Sequence, residues 1–174
     1  MLWPVKNFTA KGFLWYQGES NISNYQFYAP MMTAMVQLWR NVWEAPDMPF
    51  YYVQIAPYKY ENSSNTGAAL LREAQMEALK TIPNSGMVPT TDIGDEFCIH
   101  PPQKDVVGLR LATLALTKTY GIRRLPSNGP TMTKVDYADK KAIVTFDNAP
   151  AGLSPTFSEL EGFEIAGADK KFYP

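Results

Sequence analysis

Residues 12–21 read GFLWYQGESN. The large apolar residues Phe13 to Tyr16 are followed, with no transition, by Gln17, Gly18, Glu19, Ser20 and Asn21. A short continuous apolar run fits a strand buried on both faces better than a half-exposed one. Its polar end then brings hydrogen-bonding groups to the rim of a sheet, where open α/β folds place their ligands.

Outward from this stretch, Ser23-Asn24-Tyr25-Gln26 has the form of a capping box and predicts a helix start. Tyr25, Tyr28, Met32, Met35, Trp39 and Val42 follow at three- and four-residue steps, a core-packing stripe that runs to about the pre-proline Ala45. Pro49 opens FYYVQIAPY, a second β-prone run that ends in turn-forming and polar residues. Lys59 to Gly67 is a polar loop without periodicity. The ALLREAQMEALK after it consists of helix formers, with Leu71, Ala74, Gln75, Ala78 and Ile82 near one face. GMVPTTDIGD, from Gly86, is a third short strand running into acidic turn residues. Asp105 to Thr119 places Val107, Leu111, Leu114 and Ala115 on one side and reads as a helix. Strand and helix alternate throughout, which predicts a parallel sheet with helices packed on it.

Past Gly121 the character changes. RRLPSNGPTM is a Pro/Gly/Ser linker, and TKVDYADKKAIVTF is two alternating runs around Ala-Asp-Lys, a hairpin signature. The remainder carries turn signals and short β-prone pieces. The expected division is an α/β unit over residues 1–124, then over 125–174 a linker and the beginning of a β-sandwich-like domain.

Composition bounds the function classes. With 174 residues, 45% of them hydrophobic, the chain can bury a sizeable core. Sixteen basic and 17 acidic residues give a net charge of -1, and no block of like charges recommends a nucleic acid or a membrane as partner. No apolar run approaches the roughly 20 residues of a membrane span. The lone Cys98 allows no internal disulfide and reads as a small buried hydrophobe. The N-terminus lacks the layout of a signal peptide. Either the protein is cytoplasmic or the gene product begins upstream of Met1.

The strands end in QGESN, QIAPY and DIGDEFCIHP, and a parallel sheet gathers these ends on one edge. Gln17, Glu19, Asn21 and His100 are therefore expected to converge, with the imidazole and the Gln17 carboxamide in one pocket. His100 is the only histidine, and an unperturbed pKa of about 6.5 suits it to moving protons near neutrality. The plain alternative is a loop residue capping the turn before Pro-Pro. Its place between strand and helix, beside Asp92, Asp95 and Glu96, keeps the functional reading level with it. Ser20 fits a nucleophile elbow poorly, because Ile22 stands where the second glycine belongs. Glu96, Cys98 and His100 alternate, yet no second His or Cys completes a zinc set, so neither a metal nor a cofactor is expected.

WYQGESN at 15–21, Trp39-Arg40, PFYYVQIAPY at 49–58, LREAQ at 71–75, TTDIGD at 90–95 and IHPPQKDVVGLRLA at 99–112 resemble, in order and spacing, the sialate O-acetylesterase family of SGNH-type carbohydrate esterases. The tail GFEIAGADKKFYP is similar to the start of that family's following β-domain. The resemblance implies an SGNH/flavodoxin-like three-layer α/β/α fold and hydrolysis of acetyl esters on an acetylated sugar or glycan by Ser-His catalysis. On that basis His100 matches the general base, Gln17 and Gly18 the block that helps form the oxyanion hole, and Glu19 a group orienting the loop. The group that orients the histidine stays open between Asp95, Asp92 and a backbone carbonyl, because Phe97 stands where many SGNH enzymes carry Asp. The family's GQSN-like serine motif does not occur in these 174 residues. The expectation is a fragment whose serine comes from a preceding segment or another protomer, inactive by itself, from a product that is exported if a leader precedes it. A non-catalytic carbohydrate-binding or structural module is the competing reading, carried by the absent serine and by Trp3, Tyr58 and Tyr60.

Overall fold

A computed structural model of the chain describes residues 2–60, 66–123, 125–150, 152–154, 160 and 162–174. The middle of the expected polar loop, 61–65, and parts of the tail, 155–159 and 161, lie outside the described residues, as does position 124 at the expected boundary. The chain divides into two compact units, Met1–Ser127 and Asn128–Pro174.

In the first unit, β1 (Phe13–Tyr16), α1 (Tyr28–Val42), β2 (Phe50–Val53), α2 (Gly67–Thr81), β3 (Ser85–Val88) and α3 (Lys104–Lys118) follow in order. The strands form one parallel sheet, β1-β2-β3, with Phe13 opposite Phe50 and Phe50 opposite Ser85. Alternation along the fully buried β2 sorts the core onto two faces. Phe50 and Tyr52 pack with Tyr28, Met32 and Val36 of α1 and with Leu71 and Ala78 of α2. Tyr51 and Val53 pack with Val107, Leu111 and Leu114 of α3. The result is the expected three-layer α/β/α arrangement.

Three local expectations are corrected. β1 is not buried on both faces: it ends the sheet order, and Leu14 is 63% exposed. α3 packs over β2 and β3, so the side chain that β1 turns toward that layer lies outside its cover. The Ser23 capping box does not start the α-helix. Glu19–Phe27 is 3-10 helical on either side of a kink at Asn24, and α1 begins at Tyr28 with no side-chain cap. Pro30 explains the shift, because a helix begun at Asn24 would carry it in its interior, whereas from Tyr28 it falls in the first turn, where no backbone donor is needed. The helix also ends at Val42, and its buried spine is Tyr28, Met32, Val36 and Arg40. Arg40 is tolerated inside because Nε donates to the Met48 carbonyl at 3.0 Å and Nη2 to the Pro83 carbonyl at 2.6 Å. Finally, Cys98 is exposed rather than buried.

The second unit contains the antiparallel hairpin β4 (Thr131–Ala138) and β5 (Lys141–Asp147), turning through Asp139 and Lys140, both at positive φ. A shorter antiparallel pair joins β6 (Ile165–Ala166) to β7 (Phe172–Tyr173).

Candidate active site

The C-terminal ends of β1 and β2 are held together by one buried side chain. Gln75, on the inner face of α2, is 0% exposed. Its Oε1 accepts the Ile55 N–H at 3.0 Å, and its Nε2 donates to the Gln17 carbonyl at 3.3 Å and the Val53 carbonyl at 3.4 Å. Its own backbone carbonyl accepts the Tyr52 hydroxyl at 2.6 Å. Strands carry unpaired backbone groups where the ladder ends, and an amide that both donates and accepts can satisfy them without water. The sequence reading placed Gln75 on the core face and missed this role. The signal was there, since an amide among Leu71, Ala78 and Ile82 must find buried partners.

Gly18 is buried against this joint. A Cβ there would stand 2.7 Å from Ile55 Cγ2 and 3.1 Å from Gln75 Nε2, so the backbone approaches closely only because the residue is glycine. Gln17 is committed as well. Its Nε2 donates to Asn21 Oδ1 at 2.6 Å, and the Tyr28 hydroxyl donates to the Gln17 carbonyl at 2.8 Å and to Oε1 at 3.3 Å. Burial holds the Tyr28 phenol above its ordinary pKa.

Two cavities open around this end of β1. The first, about 330 Å³, is lined by Gln17, Asn21 and Tyr28 together with Trp15, Met31, Met32 and Met35. The second, about 350 Å³, is lined by Tyr16, Glu19, Ser20, Ile99, His100 and Lys104. The expected single pocket for Gln17 and His100 is thus replaced by two separate linings. Period-2 alternation gives the reason: Tyr16 and Gln17 are neighbours in the chain and turn their side chains to opposite faces of the sheet. Glu19 and His100 do share a lining, and Ser20 joins them.

His100 is exposed and sits on a braced loop. Asp95 Oδ1 accepts the N–H of Phe97 at 2.7 Å and of Cys98 at 2.9 Å, and the Cys98 thiol donates to the His100 carbonyl at 3.1 Å. Lys59 ties the loop to the segment after β2, its Nζ 2.9 Å from Glu96 Oε1 and its N–H donating to the Glu96 carbonyl at 2.9 Å. Pro101, fully buried, anchors the far side. Asp95 therefore holds the loop backbone. Asp92 makes a two-pronged pair with Arg110, Nη1 to Oδ1 at 2.8 Å and Nη2 to Oδ2 at 2.5 Å. Hydrogen bonding from Arg110 first, and its charge with it, holds the Asp92 carboxyl below the usual carboxylate range. Among the described residues neither carboxylate is hydrogen-bonded to His100.

Glu19 has no hydrogen-bond donor on its carboxylate among the described residues, and its charge is felt by Tyr16, Tyr28 and Tyr60, whose phenol pKa values are raised first by burial and further by that charge. Among the described residues the hydroxyls of Tyr16 and Tyr60 are buried without a hydrogen-bond partner. Thr90, beside Tyr16, gives its own hydrogen to the Gln54 carbonyl at 2.7 Å. The second cavity therefore gathers an imidazole, a carboxylate and an ammonium beside the Tyr16 phenol. That is the chemical profile of a reaction site.

Comparison with known proteins bears on this site. A family model described as carbohydrate esterase, sialic acid-specific acetylesterase, matches residues 3–117. Sialate O-acetylesterases of Rattus norvegicus and Mus musculus are each 31% identical to the chain, over 84% and 95% of it and over 31% and 34% of their own lengths. A solved structure of a carbohydrate acetylesterase from Xanthomonas citri is 34% identical and superposes with a TM-score of 0.84, covering 98% of this chain and 40% of its own. The chain spans about a third of the length of the curated relatives it matches.

Proposed function

The chain belongs to the carbohydrate esterase family of sialic acid-specific acetylesterases, and from that premise we propose that it carries the general-base half of an enzyme hydrolysing acetyl esters on sugar hydroxyls. The single observation that supports this most is the shared lining of the only histidine, His100, with Glu19 at the polar end of β1.

In this reading the nucleophilic serine lies outside the 174 residues, because no GQSN-like segment occurs among them. The serine oxygen attacks the acetyl carbonyl carbon while His100 takes its proton. The carbonyl π pair moves onto oxygen and is met by neutral donors. When the intermediate collapses, the C–O bond to the sugar breaks and His100 returns the proton to the departing sugar oxygen. Water then repeats the sequence on the acetyl-serine and acetate leaves. Glu19 places a negative charge in the same cavity, which balances the imidazolium formed midway. Asp95 acts at one remove, fixing the loop that carries the ring. The Gln17 carboxamide, tied to Asn21 and Tyr28, fixes the turn, and the first N–H groups of that turn, after Gly18, act as the oxyanion donors. The 3-10 helix from Glu19 has no intrahelical acceptor for them. The second unit is, on this reading, the beginning of a β-sandwich-like domain.

The test is acetate release from an acetylated sugar by the chain joined to its serine-bearing segment. His100→Ala is expected to lower turnover by about 10²- to 10⁴-fold, while Ser20→Ala leaves it unchanged. Full turnover in His100→Ala removes the assignment, and loss of turnover in Ser20→Ala moves the nucleophile into this chain.

A further inference from the structure

The first cavity, about 330 Å³, holds none of the groups that move protons in the reaction as described. Its lining carries no charge at neutral pH, since it consists of an indole, three thioethers, two carboxamides and a phenol, and burial takes that phenol, Tyr28, further from ionisation. The volume lies at the lower end of the roughly 300–1,000 Å³ of small-molecule sites, and an apolar cavity of about 150 Å³ already takes up benzene. Its floor belongs to the core, but its rim does not. Tyr28 and Met32 are buried in the packed face of α1, whereas Met31, beside them, is 61% exposed, where the fold gains little from an apolar side chain. Met35 follows one helical turn on and faces the same side, and Trp15 lies in the same lining. Thioethers next to an indole form a wall suited to an aromatic ring, because sulfur–ring and ring–ring contacts both favour it.

One polar group in this lining is only half used. Gln17 Nε2 donates to Asn21 Oδ1 at 2.6 Å, which fixes the Asn21 amide with its oxygen toward Gln17. Reversing that amide would set two donors against each other. The Nδ2 hydrogens of Asn21 are therefore committed to the other side, and among the described residues they have no acceptor. The Tyr28 hydroxyl gives its hydrogen to Gln17. What the cavity offers a visitor is an apolar wall, a neutral donor and no charge.

We propose that this cavity is a second ligand site, separate from the His100 cavity, and that it takes a small uncharged aromatic molecule carrying one hydrogen-bond acceptor. The ring lies against Trp15, Met31 and Met35, and the acceptor takes a hydrogen from Asn21 Nδ2. A charged ligand is disfavoured, because nothing in the lining would compensate its lost hydration. The site does not depend on the esterase reading. It uses groups on the face of the sheet opposite Tyr16, so an occupant does not meet the substrate.

The experiment titrates three probes, acetophenone, ethylbenzene and benzoate, into the 174-residue chain and into the chain joined to its serine-bearing segment. Binding is followed by the NMR signals of carbon-13-labelled methionine methyl groups. Acetophenone is expected to shift Met31 and Met35 in both proteins and to leave Met48, Met76 and Met132 in place, while benzoate binds at least about tenfold more weakly. Asn21→Asp keeps the oxygen that Gln17 needs and removes the donors. It is expected to weaken acetophenone about fivefold to tenfold, the loss of one hydrogen bond, and to leave ethylbenzene within about twofold. Met31→Gln changes an exposed side chain, so the fold is kept, and it weakens both probes about threefold through lost apolar contact. The proposal is overturned if no probe binds, if benzoate binds as well as acetophenone, or if Asn21→Asp affects both uncharged probes alike. Binding to the 174-residue chain but not to the joined one also overturns it, because the serine-bearing segment then fills the cavity. None of these readouts needs turnover, so a failure of the esterase reading leaves them intact. Where turnover is present, acetophenone should leave KM for the acetylated sugar unchanged, and competition between the two would reject a separate site.

Discussion

The two cavities at the end of β1 have similar volumes, about 330 and 350 Å³, and opposite chemistry. Around the first, the polar groups are paired with one another: Gln17 with Asn21, Tyr28 with Gln17, and behind them Gln75 with Gln17, Val53 and Ile55. The rest of its wall is methionine and tryptophan. Around the second, Tyr16 has a buried hydroxyl without a partner, Glu19 has no donor, and Lys104 has no counter-ion among the described residues. Paired groups hold a shape, and unpaired ones at the same rim are left for an incoming molecule. The difference teaches which half of GFLWYQGESN is architecture and which is chemistry. The boundary falls between two adjacent side chains, Tyr16 at the end of β1 and Gln17 just after it.

If that division is correct, substitutions in the two linings separate into activity and stability effects. The largest expected effect is the loss of turnover in His100→Ala, and it should come with an unchanged midpoint of urea unfolding, since an exposed ring is being removed. Next is Gln75→Leu. It keeps volume and apolar contact but leaves the buried Ile55 N–H without its acceptor, and losing that satisfaction costs roughly 2–3 kcal/mol. Equilibrium unfolding should show a lower midpoint at constant slope. Reversal of the pattern, with Gln75→Leu silent in stability or His100→Ala unfolding the protein, would break the comparison.

A finer cut is Tyr28→Phe, which removes one hydroxyl from the Gln17 carbonyl and leaves the ring in the core. The expected loss is about 1 kcal/mol of stability. Turnover should fall by less than about tenfold, since Gln75 still holds the same carbonyl. A turnover loss as large as that of His100→Ala would place the first cavity inside the reaction site.

Much of this was legible in the sequence because the relevant periods are short. The order of strands and helices, the α3 face of Val107, Leu111 and Leu114, and the α2 face of Leu71, Gln75 and Ala78 follow from spacing alone. Other features depend on distant partners, which no local pattern encodes. Leu14 looks like core until the lateral extent of α3 is known. Cys98 looks buried by residue type, but its loop is held at the surface by Asp95 and Lys59. The sidedness of Gln17 and His100 lies between these cases. Counting alternate residues along β1 separates Tyr16 from Gln17, but assigning His100 to the Tyr16 side requires knowing which layer holds α3. Pro30 was a legible signal that the capping box obscured.

The smallest expected effect tests the claim that Asp92 belongs to the frame rather than to His100. The Arg110 side chain joins α3 to the segment after β3, donating to both Asp92 oxygens and to the Pro89 carbonyl at 2.7 Å. The folded-state pKa of Asp92 is lowered by this pairing, so the bound form is the charged one. The corresponding stability is fully present above the unfolded carboxylate pKa of about 3.9 and is lost as pH falls through the lowered folded value. The Asp92 side chain is 45% exposed, and solvent screening limits the contribution to less than about 1 kcal/mol. Asp92→Asn should therefore be slightly less stable than the unmodified protein at pH 7, with the gap closing as acid protonates the native carboxylate. The pH dependence of acetate release should keep its shape and midpoint. If the substitution instead moves the midpoint of the pH–rate profile, Asp92 is coupled to the imidazole and the division between frame and chemistry must be redrawn through the loop that carries both.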